Sequence, residues 1–486
     1  MTAIEKLDSI DWPALRRGMA GELILAGDER MVLANKHFAA RLPFEPPRAL
    51  MRCADADDVR RALVFVEEQG APFAVRSGGH CFGDLSASPG LVVDLAQMNR
   101  IEVEDGRVRC GPGALSGDLS RALAGHGRVI PTGGCPLVGI GGLALAGGFG
   151  FLGRRHGLTT DQVMRMEVVL ADGRLAVVSA AEEPDLFWAL RGGGAAGFGI
   201  VTGLSLRTHP LEPLTLCNGR WPIAEAAALI DEWQHWAPDE ARAVNLELGL
   251  FATEFLEDPP FVELFGIVLG SPGEAAPHIA ELESRLGRLA AGLATWQLEP
   301  AAGADFVVGL LDRQAKPAWL PSLPYAAAGF QSTRSHFFDR PIGREAIEEC
   351  VRHFAADRRY AQQRELELVP WGGAYGEDDT SACFAHRRAR LLIRHSAFAG
   401  ARSGPDLRAH AAAWSDSSAA TLAAASAGGA YQGYAEPGRD DWESACYQDG
   451  EGRLAELRGR FDPAGLFSRS RRRRGDRRYP GSSTRA

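Results

Sequence analysis

Arg76-Ser77-Gly78-Gly79-His80 and, 55 residues beyond His80, Cys135 within Gly133-Gly134-Cys135-Pro136-Leu137-Val138-Gly139-Ile140-Gly141-Gly142-Leu143-Ala144-Leu145-Ala146-Gly147-Gly148-Phe149-Gly150 decide how this chain reads. His80 follows an apolar run, Ala71-Pro72-Phe73-Ala74-Val75, that reads as a short buried strand breaking into a tight Gly-Gly turn. Two consecutive glycines present several backbone N–H groups to one anion, because neither carries a Cβ to block approach. The second stretch is too rich in glycine for an ordinary helix, where each glycine costs about 1 kcal/mol relative to alanine. It suits a chain laid tightly against a flat ligand and its diphosphate. Alone, the first motif reads equally as a strand and turn with a surface histidine, and the second as a packing loop around one inert cysteine. Together they set two nucleophiles, His80 and Cys135, in backbones built for close approach.

Further motifs occur in a definite order. They are Leu91-Val92-Val93-Asp94-Leu95, His156-Gly157-Leu158-Thr159-Thr160-Asp161, the run from Asp185 to Gly194, and Phe198-Gly199-Ile200-Val201-Thr202. Trp371-Gly372-Gly373-Ala374, Phe384-Ala385-His386-Arg387, and Arg453-Leu454 leading to Phe461-Asp462-Pro463 follow. With these the chain resembles, over nearly its whole length, the berberine-bridge-enzyme-like branch of the vanillyl-alcohol-oxidase, PCMH-type flavoprotein superfamily. The resemblance implies an α+β fold: a two-lobed PCMH-type FAD-binding domain plus a substrate domain of antiparallel sheet backed by helices. It implies FAD bonded through its 8α-methyl to His80 and through ring carbon C6 to Cys135. An imidazole nitrogen or a thiolate can add to an electron-poor isoalloxazine, so the chemistry is reasonable on its own terms. The flavin cradle expected on this basis comprises Arg76, Ser77, Gly78, Gly79, Pro136, Val138, Gly139, Gly141, Gly142, Gly147, Gly148, Gly150 and Ile200.

Composition agrees with a soluble enzyme of this kind. A chain of 486 residues exceeds one typical core. Hydrophobic content of 45% with 24% charged residues is ordinary for globular proteins. A net charge of −9 argues against a nucleic-acid or anionic-membrane partner. No apolar run reaches the roughly 18 residues needed to span a bilayer. Met1-Thr2-Ala3-Ile4-Glu5-Lys6 lacks a basic segment followed by an apolar one, so no signal peptide is read and the expected location is cytoplasmic. The eight cysteines are scattered without a CxxC pair, which supports neither a disulfide framework nor a zinc site. The expected partners are a small-molecule substrate and O2; oligomeric state stays open.

Punctuation along the chain gives its organisation. A helix is predicted from Asp57 to Gln69, stopped by Gly70; a hairpin joins Met166–Leu170 to Leu175–Val178; a helix spans Glu182–Leu190. Strands are predicted at Asn245–Phe251, Phe261–Leu269 and Glu365–Val369, and helices at Gly273–Leu286 and Arg344–Ala356. The implied domains are a FAD-binding unit over 1–207, a substrate unit over 208–430, and a segment over 431–470 that returns to the FAD unit. The final 471–486 is a basic block, a composition normally solvated and disordered.

Tyr431-Gln432-Gly433-Tyr434 falls where the family has a Tyr-x-Asn-Tyr motif whose second tyrosine acts as base. That resemblance makes Tyr434 the candidate base, with Tyr431 beside it. A phenol with an ordinary pKa near 10 needs a nearby cation or strong hydrogen bond to serve at neutral pH. Proton removal would accompany hydride transfer to flavin N5. Glu365 and Glu367 alternate on the predicted strand before Trp371, so one could face the pocket, though solvated strand faces are the commoner reading. Val138 resembles the oxygen-admitting variant at its position, which favours an oxidase making hydrogen peroxide over a dehydrogenase. Two departures stand out: Gly433 replaces asparagine, and Gly450 ends Cys446-Tyr447-Gln448-Asp449-Gly450 where the family has Tyr-Tyr-Gly-x-Asn. The preferred reading is a bicovalent FAD oxidase of an alcohol, sugar or polycyclic secondary metabolite. An FAD-dependent dehydrogenase or oxidative cyclase and a non-catalytic flavin-binding protein remain alternatives. A nicotinamide-dependent dehydrogenase does not fit, because Gly139-Ile140-Gly141-Gly142 lacks the G-x-G-x-x-G grammar.

Overall fold

The computed structural model describes residues 7–468, apart from 36, 39–45, 84, 195–196, 311–328, 378–380, 401 and 437–438. The basic block over 471–486 therefore lies outside the described residues. The fold is α+β, built on a four-stranded, a five-stranded and a seven-stranded sheet, with a two-stranded pair of Arg128–Val129 and His209–Pro210.

In the first sheet, Phe73–Arg76 and Ala49–Arg52 run parallel to Leu91–Asp94 between them, and Glu22–Leu25 closes the edge antiparallel. Its helix spans Ala56–Gln69, one residue earlier than predicted, because Asp55 caps it by accepting the Asp58 N–H. Gly70, at φ 58, ends it in the left-handed conformation that glycine adopts without strain. The second sheet is antiparallel, in the order Ile101–Glu104, Arg107–Cys110, Ile200–Arg207, Val163–Val169, Leu175–Ser179. The last two strands are the predicted hairpin. The helix expected over 182–190 runs from Pro184 to Gly193.

Glycine does not keep all of the stretch from 133 to 150 out of helix, contrary to expectation. Ile140–Ala146 makes two short turns, with Ile140 and Ala144 fully buried. The helix tolerates its glycines because Gly141 packs on Pro112, where a Cβ would come within 2.7 Å of another carbon. It stops at Gly147 and Gly148, both at positive φ.

The large sheet has seven antiparallel strands in the order Leu293–Leu298, Leu214–Pro222, Phe261–Leu269, Val244–Ala252, Gln362–Pro370, Leu391–Ala399, Phe330–Phe338. The three predicted strands are present, Phe261–Leu269 with the predicted bounds and the other two slightly longer; the other four were not read from the sequence. Helices Ala226–Trp236, Pro272–Leu286, Arg344–Ala355 and Pro405–Leu422 cover one face. Side chains alternate along each strand. Val244, Leu246, Leu248 and Leu250 thus pack on Trp233 and Phe354, while Asn245, Glu247 and Phe251 point the other way. That second face meets the glycine-rich stretch: Asn245 Nδ2 donates to the carbonyls of Gly150 and Phe151. Arg154, fully buried, fastens the same junction by donating to the carbonyls of Val244, Pro238, Trp371 and Glu240.

After the large sheet the chain comes back. Trp442–Tyr447 and Glu451–Phe461 bury Cys446, Leu454 and Leu457 against Leu186, Leu190 and Phe198. Phe467 packs edge-on to Phe73 of the first sheet. No helix among the described residues is long and apolar enough to cross a membrane.

Candidate active site

Between the glycine-rich stretch and the inner face of the large sheet lies a cavity of about 470 Å³, within the range of small-molecule sites. Its floor is bare backbone. Gly78 and Gly139 touch: a Cβ on Gly78 would lie 2.4 Å from the Gly139 nitrogen, and one on Gly139 would lie 2.2 Å from Ser77 Oγ. At Gly134 and Gly142, both lining the cavity, a Cβ would meet nothing within 4 Å and would project into free space. Side chains at these positions would fill the room that a flat, extended ligand needs, so the residues present fit a flavin dinucleotide.

His80 and Cys135 come together in that floor. The strand Phe73–Arg76 ends, Gly79 turns at φ 72, and His80 Nε2 lies 3.1 Å from Cys135 Sγ. The imidazole stacks on Phe38 with ring centres 3.7 Å apart. Burial, helped by the charge of Arg394, pushes His80 down to about 4, so the ring is neutral at physiological pH. Burial raises the Cys135 thiol, against a partial pull downward from the Leu137 N–H.

Of the other residues singled out in the sequence, Ser77, Gly78, Gly79, Val138, Gly139, Gly141, Gly142, Gly150 and Ile200 line the cavity. Arg76, Pro136, Gly147 and Gly148 stand behind the wall. Arg76 is buried and donates to the carbonyls of Ala34 and Ser86 and to Asn35 Oδ1, which holds the strand end in place. Pro136 packs on Gly117, and Gly147 lies against the rings of Phe384 and Tyr431. The Gly148 N–H donates to Tyr431 Oη at 2.9 Å.

The two tyrosines differ in kind. Tyr431 is buried, and burial pushes its hydroxyl well above the ordinary phenol range despite the Gly148 hydrogen bond. It holds its proton. Tyr434 is half-buried in the cavity wall, stacked on Phe82 at 5.1 Å and edge-on to both Phe149 and Tyr431. The Arg394 guanidinium sits 5.3 Å from the centre of its ring.

Arg394 is the residue that sequence reasoning missed. It lies in the run Leu391-Leu392-Ile393-Arg394-His395, where a charge inside an apolar strand was the available signal. Glu365 and Glu367 both pair with it, Glu367 at 2.9 Å, and Arg394 and Glu365 are nearly inaccessible to solvent. The sequence favoured solvated faces for these glutamates; the structure buries Glu365 and leaves Glu367 partly exposed in the cavity wall. Burial raises Glu367 to about 7 even beside Arg394. Glu247, Glu263 and Asn218 share this face and were also missed.

Residues 47–179 match the family described as FAD binding domain. The chain is 35% identical over 199 residues to an uncharacterized FAD-linked oxidoreductase of Bacillus subtilis, covering 40% of this chain and 44% of that protein. It is 39% identical over 247 residues to (R)-6-hydroxynicotine oxidase of Paenarthrobacter nicotinovorans, covering 50% of each. These alignments therefore span about half the length of either relative. Among solved structures, BBE-like 1 of Physcomitrella patens superimposes with a TM-score of 0.81, covering 96% of this chain and 98% of that one at 22% identity.

Proposed function

We propose that this chain, which belongs to the berberine-bridge-enzyme-like FAD-linked oxidoreductases, is an oxidase of small organic molecules that holds its FAD through His80 and Cys135. The observation that carries the reading is the 3.1 Å approach of His80 Nε2 to Cys135 Sγ above a floor of bare glycine backbone. A neutral imidazole has the free lone pair that covalent attachment needs. The buried thiol keeps its proton at neutral pH and would have to lose it before it bonds the ring. Residues of the first two sheets would hold the cofactor, the large sheet would face the substrate, and the returning segment from Tyr431 would supply the proton acceptor.

Bound FAD supplies a hydride acceptor, and reoxidation by O2 to H2O2 would complete an oxidase cycle. Tyr434 is the base in this reading. The Arg394 guanidinium stands 5.3 Å from the centre of its ring, a cation placed where it can help stabilise charge developing on the phenol oxygen. Tyr431 holds its proton and braces Tyr434, with ring centres 5.0 Å apart. The lining position of Val138, a small side chain, supports O2 as the acceptor. Substrates would be alcohols, amines, sugars or polycyclic metabolites, the range suggested by relatives named for hydroxynicotine, xylooligosaccharide and tetrahydroberberine oxidation.

The test is mass spectrometry of the denatured, protease-digested protein expressed with FAD available. One flavin joining the peptides of His80 and Cys135 is expected. Flavin on His80 alone would keep the cofactor and remove the second link; covalent flavin on neither peptide would overturn the reading.

A further inference from the structure

The inner face of the large sheet is unusual in its charge. Glu247, Glu263 and Glu367 line the cavity there against one cation, Arg394. Arg394 is already paired with Glu365 and Glu367. Glu263 takes Asn218 Nδ2 at 2.5 Å and lies 3.5 Å from Arg220. The Glu247 carboxylate has no hydrogen bond or ion pair with any described residue, although the residue is only 5% exposed. A buried carboxylate without a partner is costly, and one kept at a cavity wall points to a partner that arrives from outside.

The surroundings of Glu247 narrow that partner. Phe265 is its cross-strand neighbour, and Phe251 lies four residues along the same face. The Phe251 ring folds back over Gly249, where a Cβ would come within 2.4 Å of it and 3.2 Å of the Phe265 ring. Aromatic faces beside an acceptor attract a cation. Three carboxyl groups line this wall against one cation that already pairs with Glu365 and Glu367, so the wall has an excess of acceptors, which suits a cationic group.

We infer that this wall recognises a protonated amine, with Glu247 receiving the ammonium N–H between the rings of Phe251 and Phe265, so that the substrate of the oxidase is a basic amine-bearing molecule. The inference deepens the functional reading above and rests on it. Burial and the nearby Glu367 hold Glu247 well above the usual carboxylate range in the free protein. An entering ammonium reverses that bias, and the carboxyl proton leaves to solvent as the ion pair forms.

The experiment is calorimetric titration of the flavin-loaded protein with N,N-dimethylbenzylamine, benzyl alcohol and cellobiose at neutral pH. Flavin content is measured beforehand, so a failure of the cofactor reading is seen separately from a failure of amine recognition. The amine should bind at least tenfold tighter than the alcohol. Glu247→Gln should weaken amine binding about ten- to hundredfold, the loss of one charge-assisted contact, and leave the alcohol unchanged. Glu247→Asp keeps the charge and should recover part of the affinity, which separates recognition from misfolding. Equal binding of amine and alcohol, full affinity in Glu247→Gln, or Glu247-dependent binding of cellobiose alone would each overturn the inference.

Discussion

Replacing Gly433 by asparagine, the residue of the family pattern, should damage this protein rather than repair it. A Cβ at 433 would lie 2.4 Å from Tyr431 Cε1, 2.7 Å from Cζ and 2.9 Å from Oη. The ring has nowhere to go. It is packed edge-on against Phe149 at 5.0 Å, lies against Gly147 on another side, and is tied by its hydroxyl to the Gly148 N–H. Forcing extra atoms into such packing costs about 1–3 kcal/mol. If the ring yields, the Gly148 N–H loses its acceptor, at about 1–3 kcal/mol for a buried donor. Because the ring either stays or moves, the costs are alternatives and the smaller one sets the loss, about 1–3 kcal/mol. The Cβ makes the clash, so Gly433→Ala should already carry most of the loss. Urea denaturation of the flavin-loaded protein, followed by tryptophan and flavin fluorescence, measures it. A Gly433→Ala protein within about 0.5 kcal/mol of wild type, the usual range for a harmless substitution, would refute the reasoning. So would an asparagine variant more stable than wild type.

Four further outcomes follow from the structure. Arg394→Met strands Glu365 and Glu367 in the interior and should cost about 3–5 kcal/mol; adding Glu367→Gln should return part of that in denaturant melts. Arg394→Lys, which keeps the charge, should fold and should retain more turnover than Arg394→Gln, which removes the cation beside the Tyr434 ring. His336 is pushed down to about 4 by burial and by Arg439 and Arg334, whereas unfolded it titrates near 6.5. Its neutral form therefore contributes stability that is complete above pH 6.5 and is lost as pH falls towards 4. Thermal melts across that window should fall less steeply for His336→Gln than for wild type. Finally, Val138→Leu should slow reoxidation of the reduced flavin by O2 by tenfold or more with flavin content unchanged, measured by stopped-flow absorbance; unchanged reoxidation would remove Val138 from any gating role.

What the sequence made legible, and what it did not, separates along one physical line. Glycine announces itself: Gly78, Gly139 and Gly142 have no side chain, and their density already implies a surface approached by backbone alone. The helix Ala56–Gln69 and the hairpin Val163–Val169 to Leu175–Ser179 were readable because their punctuation is local. The strand Leu391–Ala399 was not, because a buried Arg394-His395-Ser396 interrupts its apolar run. Alternation tells which residues share a face of a strand, but not what that face meets. In the large sheet both faces are covered, one by helices and the other by the FAD-binding lobe, so the polar face carrying Glu247, Glu263, Glu365 and Glu367 has the same one-dimensional pattern as a solvated one. The difference is made only when the glycine-rich stretch closes over it, at contacts such as Asn245 to the Gly150 and Phe151 carbonyls, where two segments about 95 residues apart meet. The cofactor floor is thus written in two short glycine-rich segments, whereas the substrate wall exists only as an agreement among five strands. Substitutions among Glu247, Glu367, Arg394 and Tyr434 share one buried charge balance and should be strongly non-additive.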